Sequence, residues 1–449
     1  MEKNLEIVKK IATAVSEHGG RAFFVGGCVR DFLQDKQSGD YDVEVHGILP
    51  ETLEKILGEL AEIKSVGREF GIYPLQSYPV DIALPRREKA VGAGHRDFAV
   101  EIDPFMGATE AAKRRDFTIN AMMQDVLTGE LVDPYDGMSD LKKGVIRHIF
   151  SGRFVEDPLR VFRAAQFAAR FKFTLAKDTL ELCKTMDVSV LAGGRVCDEM
   201  QKALLRAEDP SIFFKVLQAM NHLGEYFPEL QSLIGVEQNK RHHAEGDVWT
   251  HTMMVLQEAA KRRERVKEKL GFMLAALTHD FGKSICTECI DGELHSYNHE
   301  REGLPLIERF LSRLTGDKTL TAYVLNMAEL HMKPNTLAAN ASSVKATNKM
   351  FDKAIAPFDL IQLAIADSLG KIAPRPYVET EPFLLERLAV YEEMMSRPYV
   401  TGKDLIKAGF SQGEYFGELL AYAHKLRLAG TEKTSALKQT LAYARKFEK

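Results

Sequence analysis

The stretch VGGCVRDFLQDKQSGDYDVEV, Val25 to Val45, decides how the chain is read. The apolar residues Ala22 to Val25 predict a strand that runs into it. Gly26 and Gly27 then permit a tight turn and let backbone N–H groups approach a ligand closely. Cys28 to Leu33 reads as a short helix with Arg30 in its first turn. A helix N-terminus beside a cation suits a polyphosphate. A second strand, Asp40 to Val45, carries Asp40 and Asp42. Residues i and i+2 of a strand share a face, so these carboxylates stand side by side. They repel unless a cation lies between them, and hard oxygen ligands suit Mg²⁺. Either feature alone would mark a turn or an acidic strand end. Together, in this order and spacing, they provide what nucleotidyl transfer needs: cations that activate an attacking hydroxyl and stabilise a departing pyrophosphate.

Downstream, the pattern predicts a helix over Pro50–Ala61, an apolar strand near Ile63–Val66, and extended segments at Ile72–Gln76 and Pro79–Leu84. Asp81 lies between apolar neighbours in the last of these. It becomes a third candidate carboxylate if its strand lies beside that of Asp40 and Asp42. Arg86 to Asp97, with glycines near its end, reads as a mobile loop near the substrate. In KRRDFTINAMM, 113–123, three cations precede an aspartate and the start of an apolar helix. Arg115 is placed to meet phosphates and Asp116 to accept from a ribose hydroxyl. Gln124 to Val132 reads as a hairpin around Thr128-Gly129, and Gly144 to Ile149 as a final strand.

From Asp157 onward the periodicity is helical, with seams near Gly235–Lys240 and Pro374–Pro382. EDPLRVFR, 156–163, opens a helix with proline just inside its start. Asp157 and Arg160, at i and i+3, share a face, one a pure acceptor and the other a pure donor. The complementary base edge offers an amino donor beside a ring-nitrogen acceptor. Cytosine and adenine have that edge; uracil and guanine present the reverse and would leave a charge unpaired. A helix-capping salt bridge is the alternative reading of this pair.

A chain of 449 residues exceeds one ordinary core and predicts several domains. A hydrophobic fraction of 45% and a charged fraction of 28% are those of a soluble protein. Leu5, Val8, Ile11, Ala12 and Val15 form one face of an amphipathic N-terminal helix, not a secretory signal. No apolar run approaches the roughly 18 residues of a membrane span. Five scattered cysteines predict a reducing cytoplasm, with Cys286 and Cys289 an incidental lone CxxC. The net charge of −4 leaves nucleic-acid binding to local basic clusters such as Lys113-Arg114-Arg115 and Arg160, Arg163 and Arg170.

The motifs VGGCVRD, GDYDVEV, KRRDFTINAM, GVIRHI and EDPLRVFRAAQFAARF follow one another across residues 20–175. In that order the chain resembles the class II tRNA nucleotidyltransferases, or CCA-adding enzymes, and the related bacterial poly(A) polymerases. The resemblance implies an α+β nucleotidyltransferase head with a mixed sheet and helices over 1–150. It further implies all-α neck and body over 151–235, an HD-type helical metal domain over 236–375, and a helical tail over 376–449 that contacts RNA, for which the sequence itself equally allows a purely structural cap. It implies template-independent addition of C and A to the tRNA 3′ end from CTP and ATP. Gly27 and Arg30 then correspond to triphosphate contacts, with Gly26 in the same turn. Asp40 and Asp42 correspond to the Mg²⁺ ligands, with Asp81 as their helper. Arg115 corresponds to a further nucleotide contact, with Asp116 near the sugar. Asp157 and Arg160 correspond to the amino-acid template, assisted by Arg163. Gln166 departs from the family, many of whose members carry arginine there. A poly(A) polymerase or a dedicated A- or C-adder shares all these residues.

In the second half, His251 lies in a helical stretch, His279-Asp280 closes the helix GFMLAALTHD, and Asp367 interrupts the apolar helix DLIQLAIADSL. One histidine, a His-Asp pair and a distant aspartate make a metal site of mixed N and O ligands. The pattern resembles the HD phosphohydrolases, with His299 and His331 as extra candidate ligands, His242 and His243 nearby, and the metal undetermined. A reading from another class is an HD phosphohydrolase with a non-catalytic nucleotide-binding head; the intact Asp40, Asp42 and KRRDFTINAM oppose it.

Overall fold

The computed structural model describes residues 2–34, 39–64, 67–90, 98–241, 243–372, 380–410, 413 and 415–445. It forms two compact units, Met1–Met200 with Ile212–Glu225, and Gln201–Ser211 with Tyr226–Lys449.

In the first unit, helix α1 (Glu2–Glu17) buries Ile7, Val8, Ile11, Ala12 and Val15, with Leu5 half-buried. It packs on β1 (Arg21–Val25), whose Ala22, Phe23, Phe24 and Val25 are all buried. A strand apolar on both faces belongs in the middle of a sheet. β1 indeed pairs antiparallel on one side with β2 (Tyr41–His46) and on the other with β7 (Met123–Asp125). Helix α2 (Gly27–Phe32) follows β1, and α3 (Pro50–Leu60) follows β2. The mixed sheet is completed by β3 (Ile72–Pro74), β4 (Val80–Ala83) and β8 (Leu131–Val132), in the order β3-β4-β2-β1-β7-β8. β2 and β4 run parallel with Asp42 opposite Asp81. The turn from β1 into α2 needs a glycine: Gly26 adopts φ 72°, ψ −131°, a region closed to a side chain with a Cβ.

Several local expectations change. Ile63 makes only an isolated bridge to Leu75, and residues 65–66 lie outside the described residues. Arg86–Ala90 is a strand, β5, paired antiparallel with β6 (Phe98–Ile102), so the expected loop begins later; residues 91–97 lie outside the described residues. The expected apolar helix after Asp116 is only a 3₁₀ turn, Thr118–Asn120. Its backbone is claimed elsewhere: Asp116 accepts from the Phe117 N–H, and the Thr118 N–H donates to Arg147 O. Short strands also persist beyond Asp157. Val145–Ile146 (β9) runs parallel to Thr174–Leu175 (β10), and Glu288–Ile290 (β11) turns into Glu293–His295 (β12). That turn is Asp291-Gly292 with φ 51° and 80°, an Asp-Gly hairpin signal present in the sequence.

The second unit is helical apart from the β11–β12 ribbon among its described residues. Asp247 caps helix α4 (Val248–Arg262) by accepting the Thr250 N–H at 2.9 Å. Helix α5 (Lys269–Thr278) is buried throughout Gly271–Thr278. It packs with α4, α6 (Lys318–Leu330) and α7 (Pro357–Leu369). The proline-rich seam falls mostly on residues 373–379, outside the described residues. The last helices, Phe416–Leu428 and Lys433–Ala444, close a small core around Leu405, Leu419 and Ala444. Among the described residues no helix is long and apolar enough to cross a membrane.

Candidate functional site

A cleft of about 540 Å³ opens in the first unit where β2, the β1–α2 turn and the helix Leu159–Phe171 converge. Gly26, Gly27, Arg30, Asp42, Arg115, Asp116, Asp157, Arg160 and Arg163 all line it. Seven arginines against three aspartates line its walls, a surplus of positive charge matched to a triphosphate. Asp81 and Asp42 share an adjoining recess of about 190 Å³. Asp40 sits one residue before β2 and is exposed. Partial desolvation and the charge of Asp81 raise the pKa of Asp42, with Asp40 adding to the rise and Arg115 opposing it. Three mutually repelling carboxylates fit a hard divalent cation.

Each arginine has a specific holder. Arg30 is 3% exposed; its Nη1 donates to Asn120 Oδ1 at 2.5 Å, and its guanidinium lies 4.4 Å from the Phe171 ring centroid. It therefore forms part of the cleft wall. Asp116 is saturated by protein donors: Phe117 N, Asn120 Nδ2 at 2.9 Å, and Arg163 through Nε at 2.8 Å and Nη2 at 2.6 Å. Burial pushes the Asp116 carboxyl up, but Arg163 and the Asn120 hydrogen bond outweigh it and hold the pKa low. Asp116 thus orients Arg163, and a ribose hydroxyl would find its oxygens already engaged. Arg160 donates from Nη1 to Arg153 O and from Nη2 to Arg114 O, both at 2.8 Å. Two carbonyl anchors fix the plane of its fork. Asp157 accepts from the Leu159 N–H at 3.2 Å and meets Arg195 Nη2 at 3.4 Å. Among the described residues no ion pair joins Asp157 to Arg160, so the helix-capping bridge does not form. Gln166, at the departing position, is 2% exposed with Nε2 unpartnered in the helix interior.

The second unit gathers His251, His279, Asp280, Asp367, His299 and His331; Asp280, Asp367, His299 and His331 line a cleft of about 970 Å³, and His251 and His279 lie buried behind them. Carbonyls orient the rings: His279 Nδ1 bonds Ala276 O, His299 Nδ1 bonds Ser296 O, and His331 Nδ1 bonds Ala328 O. A carbonyl only accepts, so Nδ1 carries the hydrogen and each Nε2 lone pair points inward. Burial lowers His331 to about 3, so it is a neutral imidazole. The Nε2 atoms of His251 and His279 are buried without hydrogen-bond partners. They face Asp280 Oδ2 at 3.5 and 3.3 Å, and His251 Nε2 faces Asp367 Oδ1 at 3.1 Å. On the other side, Asp280 Oδ1 faces His299 and His331 Nε2 at 3.2 and 3.7 Å. Lone pairs opposed to carboxylate oxygens at these separations fit a bound cation.

Glycine is required beside this cluster. A Cβ at Gly282 would collide with the His299 carbonyl. We expect Gly282→Ala to destabilise the second unit by about 3 kcal/mol in denaturant unfolding, because backbone rather than a rotatable side chain must give way.

Sequence reasoning passed over Glu44, Asn120, Glu245, Lys283 and Lys371, and read Arg114 only as part of a basic cluster. Four of them stand at a legible spacing: Glu44 two residues from Asp42, Asn120 four from Asp116, Lys283 three from Asp280, Lys371 four from Asp367. Lys283 Nζ lies 2.7 Å from Asp280 and Lys371 Nζ 3.1 Å from Asp367. Glu245 meets His251 Nδ1 at 3.2 Å and His243 Nδ1 at 2.7 Å; His242 lies outside the described residues.

Residues 22–147 match the family described as the poly A polymerase head domain. The multifunctional CCA protein of Nitrosococcus oceani is 33% identical over 415 residues, covering 89% of this chain and 95% of that protein. That of Stenotrophomonas maltophilia K279a is 39% identical over 301 residues, covering 66% of this chain and 71% of that protein. The fold is similar to that of the Thermotoga maritima CCA-adding enzyme complexed with tRNA-CCA, with a TM-score of 0.65 at 19% identity over 98% of this chain and 95% of that one. With a poly(A) polymerase head and end-to-end similarity to multifunctional CCA proteins, the chain belongs to the CCA-adding tRNA nucleotidyltransferase family.

Proposed function

We propose that the protein adds C, C and A to the 3′ end of tRNA from CTP and ATP, releasing pyrophosphate. The supporting observation is the convergence, in one arginine-lined cleft, of Asp42 opposite Asp81, the Gly26–Gly27 turn, and the anchored fork of Arg160 beside Asp157. Mg²⁺ held by Asp40 and Asp42 would activate the 3′ hydroxyl and stabilise the departing pyrophosphate, with Asp81 supporting that carboxylate pair. Gly26 and Gly27 admit the triphosphate, and Arg115 meets it. Arg30 acts from the wall and Asp116 through Arg163. Asp157 accepts from the amino group of cytosine or adenine while the remaining donors of Arg160 meet the ring nitrogen. The test is addition to tRNA lacking CCA, given CTP alone, ATP alone, and both. Growth to a defined CCA end with both nucleotides supports the reading; unlimited A addition would make the protein a poly(A) polymerase.

A second activity has its own support in the cluster of the second unit. His251, His279 and Asp367, and beside them Asp280, His299 and His331, are the residues that would hold divalent cations there. Such a centre suits phosphoester hydrolysis. The expected outcome is that His279→Ala loses hydrolysis of 2′,3′-cyclic phosphate ends while CCA addition persists. Adding Mn²⁺ or Ni²⁺ at about 100 Kd of this centre should stabilise the wild type by about 2.7 kcal/mol more than it stabilises His279→Ala, which keeps the head site. Calorimetry with and without metal measures this directly, and an equal gain in the variant would rule out His279 as a ligand.

A further inference from the structure

The acidic residues of GDYDVEV fall at alternate positions, Asp40, Asp42 and Glu44, which reads as three carboxylates for one purpose. The structure separates them. Asp42 is exposed to the cleft, whereas Glu44 is 1% exposed and enclosed by donors. Its Oε2 accepts from Arg114 Nη2 at 2.7 Å and from Arg115 Nη2 at 3.4 Å. Its Oε1 meets His46 Nε2 at 3.1 Å. Both oxygens are engaged by protein groups. The arginines it holds reach the other parts of the cleft. Arg115 Nη1 would lie 3.4 Å from a Cβ on Gly26, so it sits directly against the glycine turn. The backbone carbonyl of Arg114 receives Arg160 Nη2 at 2.8 Å.

We infer that Glu44 is a positioning residue for nucleotide addition: it anchors the Arg114 and Arg115 guanidinia so that they face the triphosphate, and through the Arg114 backbone it steadies the base-reading arginine. This rests on reading the cleft as the triphosphate site. The physical need is specific. Arg114 and Arg115 are adjacent like charges, and burial together with the Arg114 charge disfavours the charged form of Arg115. A carboxylate between them offsets that repulsion and sets the direction of both forks. With Arg114 Nη2 at 2.7 Å and Arg115 Nη2 at 3.4 Å, the Glu44 carboxylate is held between the two guanidinia.

Positioning and net charge predict opposite results, which makes the inference testable by sign. Glu44→Gln leaves the cleft more positive, so an effect of charge alone would lower KM for nucleotides. Loss of the anchor raises it. We expect Glu44→Gln to raise KM for both CTP and ATP by about tenfold or more, the scale of one charged hydrogen bond, with the Mg²⁺ dependence of turnover unchanged. Added to Arg114→Gln, it should cost less than it does in the wild type, because one of the two anchored guanidinia is already gone. That double variant removes one charge of each sign together, so it serves if Glu44→Gln alone fails to fold. Unchanged or lower KM, a shifted Mg²⁺ requirement, or additive effects in the double variant would each overturn the inference. Asp42→Asn, assayed alongside, separates the two levels: full turnover in that variant would defeat the reading of the cleft itself, whereas an unaltered KM in Glu44→Gln defeats only the anchor.

Discussion

Asp42→Asn should abolish incorporation of labelled CMP and AMP into tRNA, lowering kcat by about a thousandfold or more. A carboxylate that holds a catalytic cation contributes several kcal/mol of transition-state stabilisation, and each 1.4 kcal/mol is about tenfold. Asparagine keeps the shape and removes the charge. The fold should not suffer. Desolvation and the Asp81 charge raise the pKa of Asp42, so its ionised form is disfavoured in the folded state. The sign follows: at neutral pH that repulsion costs stability, and acidification through the raised pKa relieves it. Asp42→Asn removes the cost at every pH. Its Tm should equal or slightly exceed that of the wild type without metal, while activity is lost, the usual opposition of stability and function at a charged site. A folded Asp42→Asn enzyme with wild-type kcat would show that the cation is held elsewhere. Asp81→Asn should behave alike in stability, because the two carboxylates oppose each other across β2 and β4.

Arg160→Ala should collapse discrimination between CTP or ATP and UTP or GTP by about two to four orders of magnitude in kcat/KM. A site built to hydrogen-bond a base edge rejects the wrong edge chiefly because buried polar groups are left unpaired. The structure explains why the fork can do this. Arg160 is anchored on the Arg153 and Arg114 carbonyls, so its remaining donors have a fixed direction before nucleotide enters. Asp157 is held by the Leu159 N–H and Arg195, so the acceptor is fixed as well. Arg160→Lys separates charge from geometry. Lysine retains the attraction for phosphate but cannot span two carbonyls and a base edge. It should retain much of the ATP and CTP affinity and still lose selectivity. Unchanged selectivity in both variants would move base choice away from this helix.

The parts of the head that the sequence made legible are those governed by short-range rules. The apolar run before Gly26 became the central strand because residues buried on both faces belong there. The amphipathic face of α1 followed helical period, and the hairpin at Thr128-Gly129 formed between β7 and β8. Where local rules misled, longer-range partners had claimed the backbone. The segment after Asp116 had the composition of a helix start, yet Arg147 and His148 took its backbone groups into a different arrangement. The Asp291-Gly292 turn was readable but sat within a helical context that masked it.

The sequence by itself determined that a glycine turn, a pair of aspartates, an Asp–Arg pair and six metal-type residues exist, because residue identity and spacing set which groups can share a face. Only tertiary structure decided how those groups divide their work. Asp42 and Glu44 are equivalent by strand period. Burial and the approach of Arg114 and Arg115, seventy residues on, leave one carboxylate open and engage the other. Asp116, read from sequence as a ribose acceptor, receives Arg163 Nε at 2.8 Å from the helix Leu159–Phe171. The Val25–Val45 stretch therefore names the chemistry, while the partners brought by folding leave Asp42 open to the cleft, hold Glu44 against two arginines and engage Asp116 with Arg163. The reason is physical: a carboxylate's role depends on which donors and charges surround it, and those are contributed by distant segments of the chain.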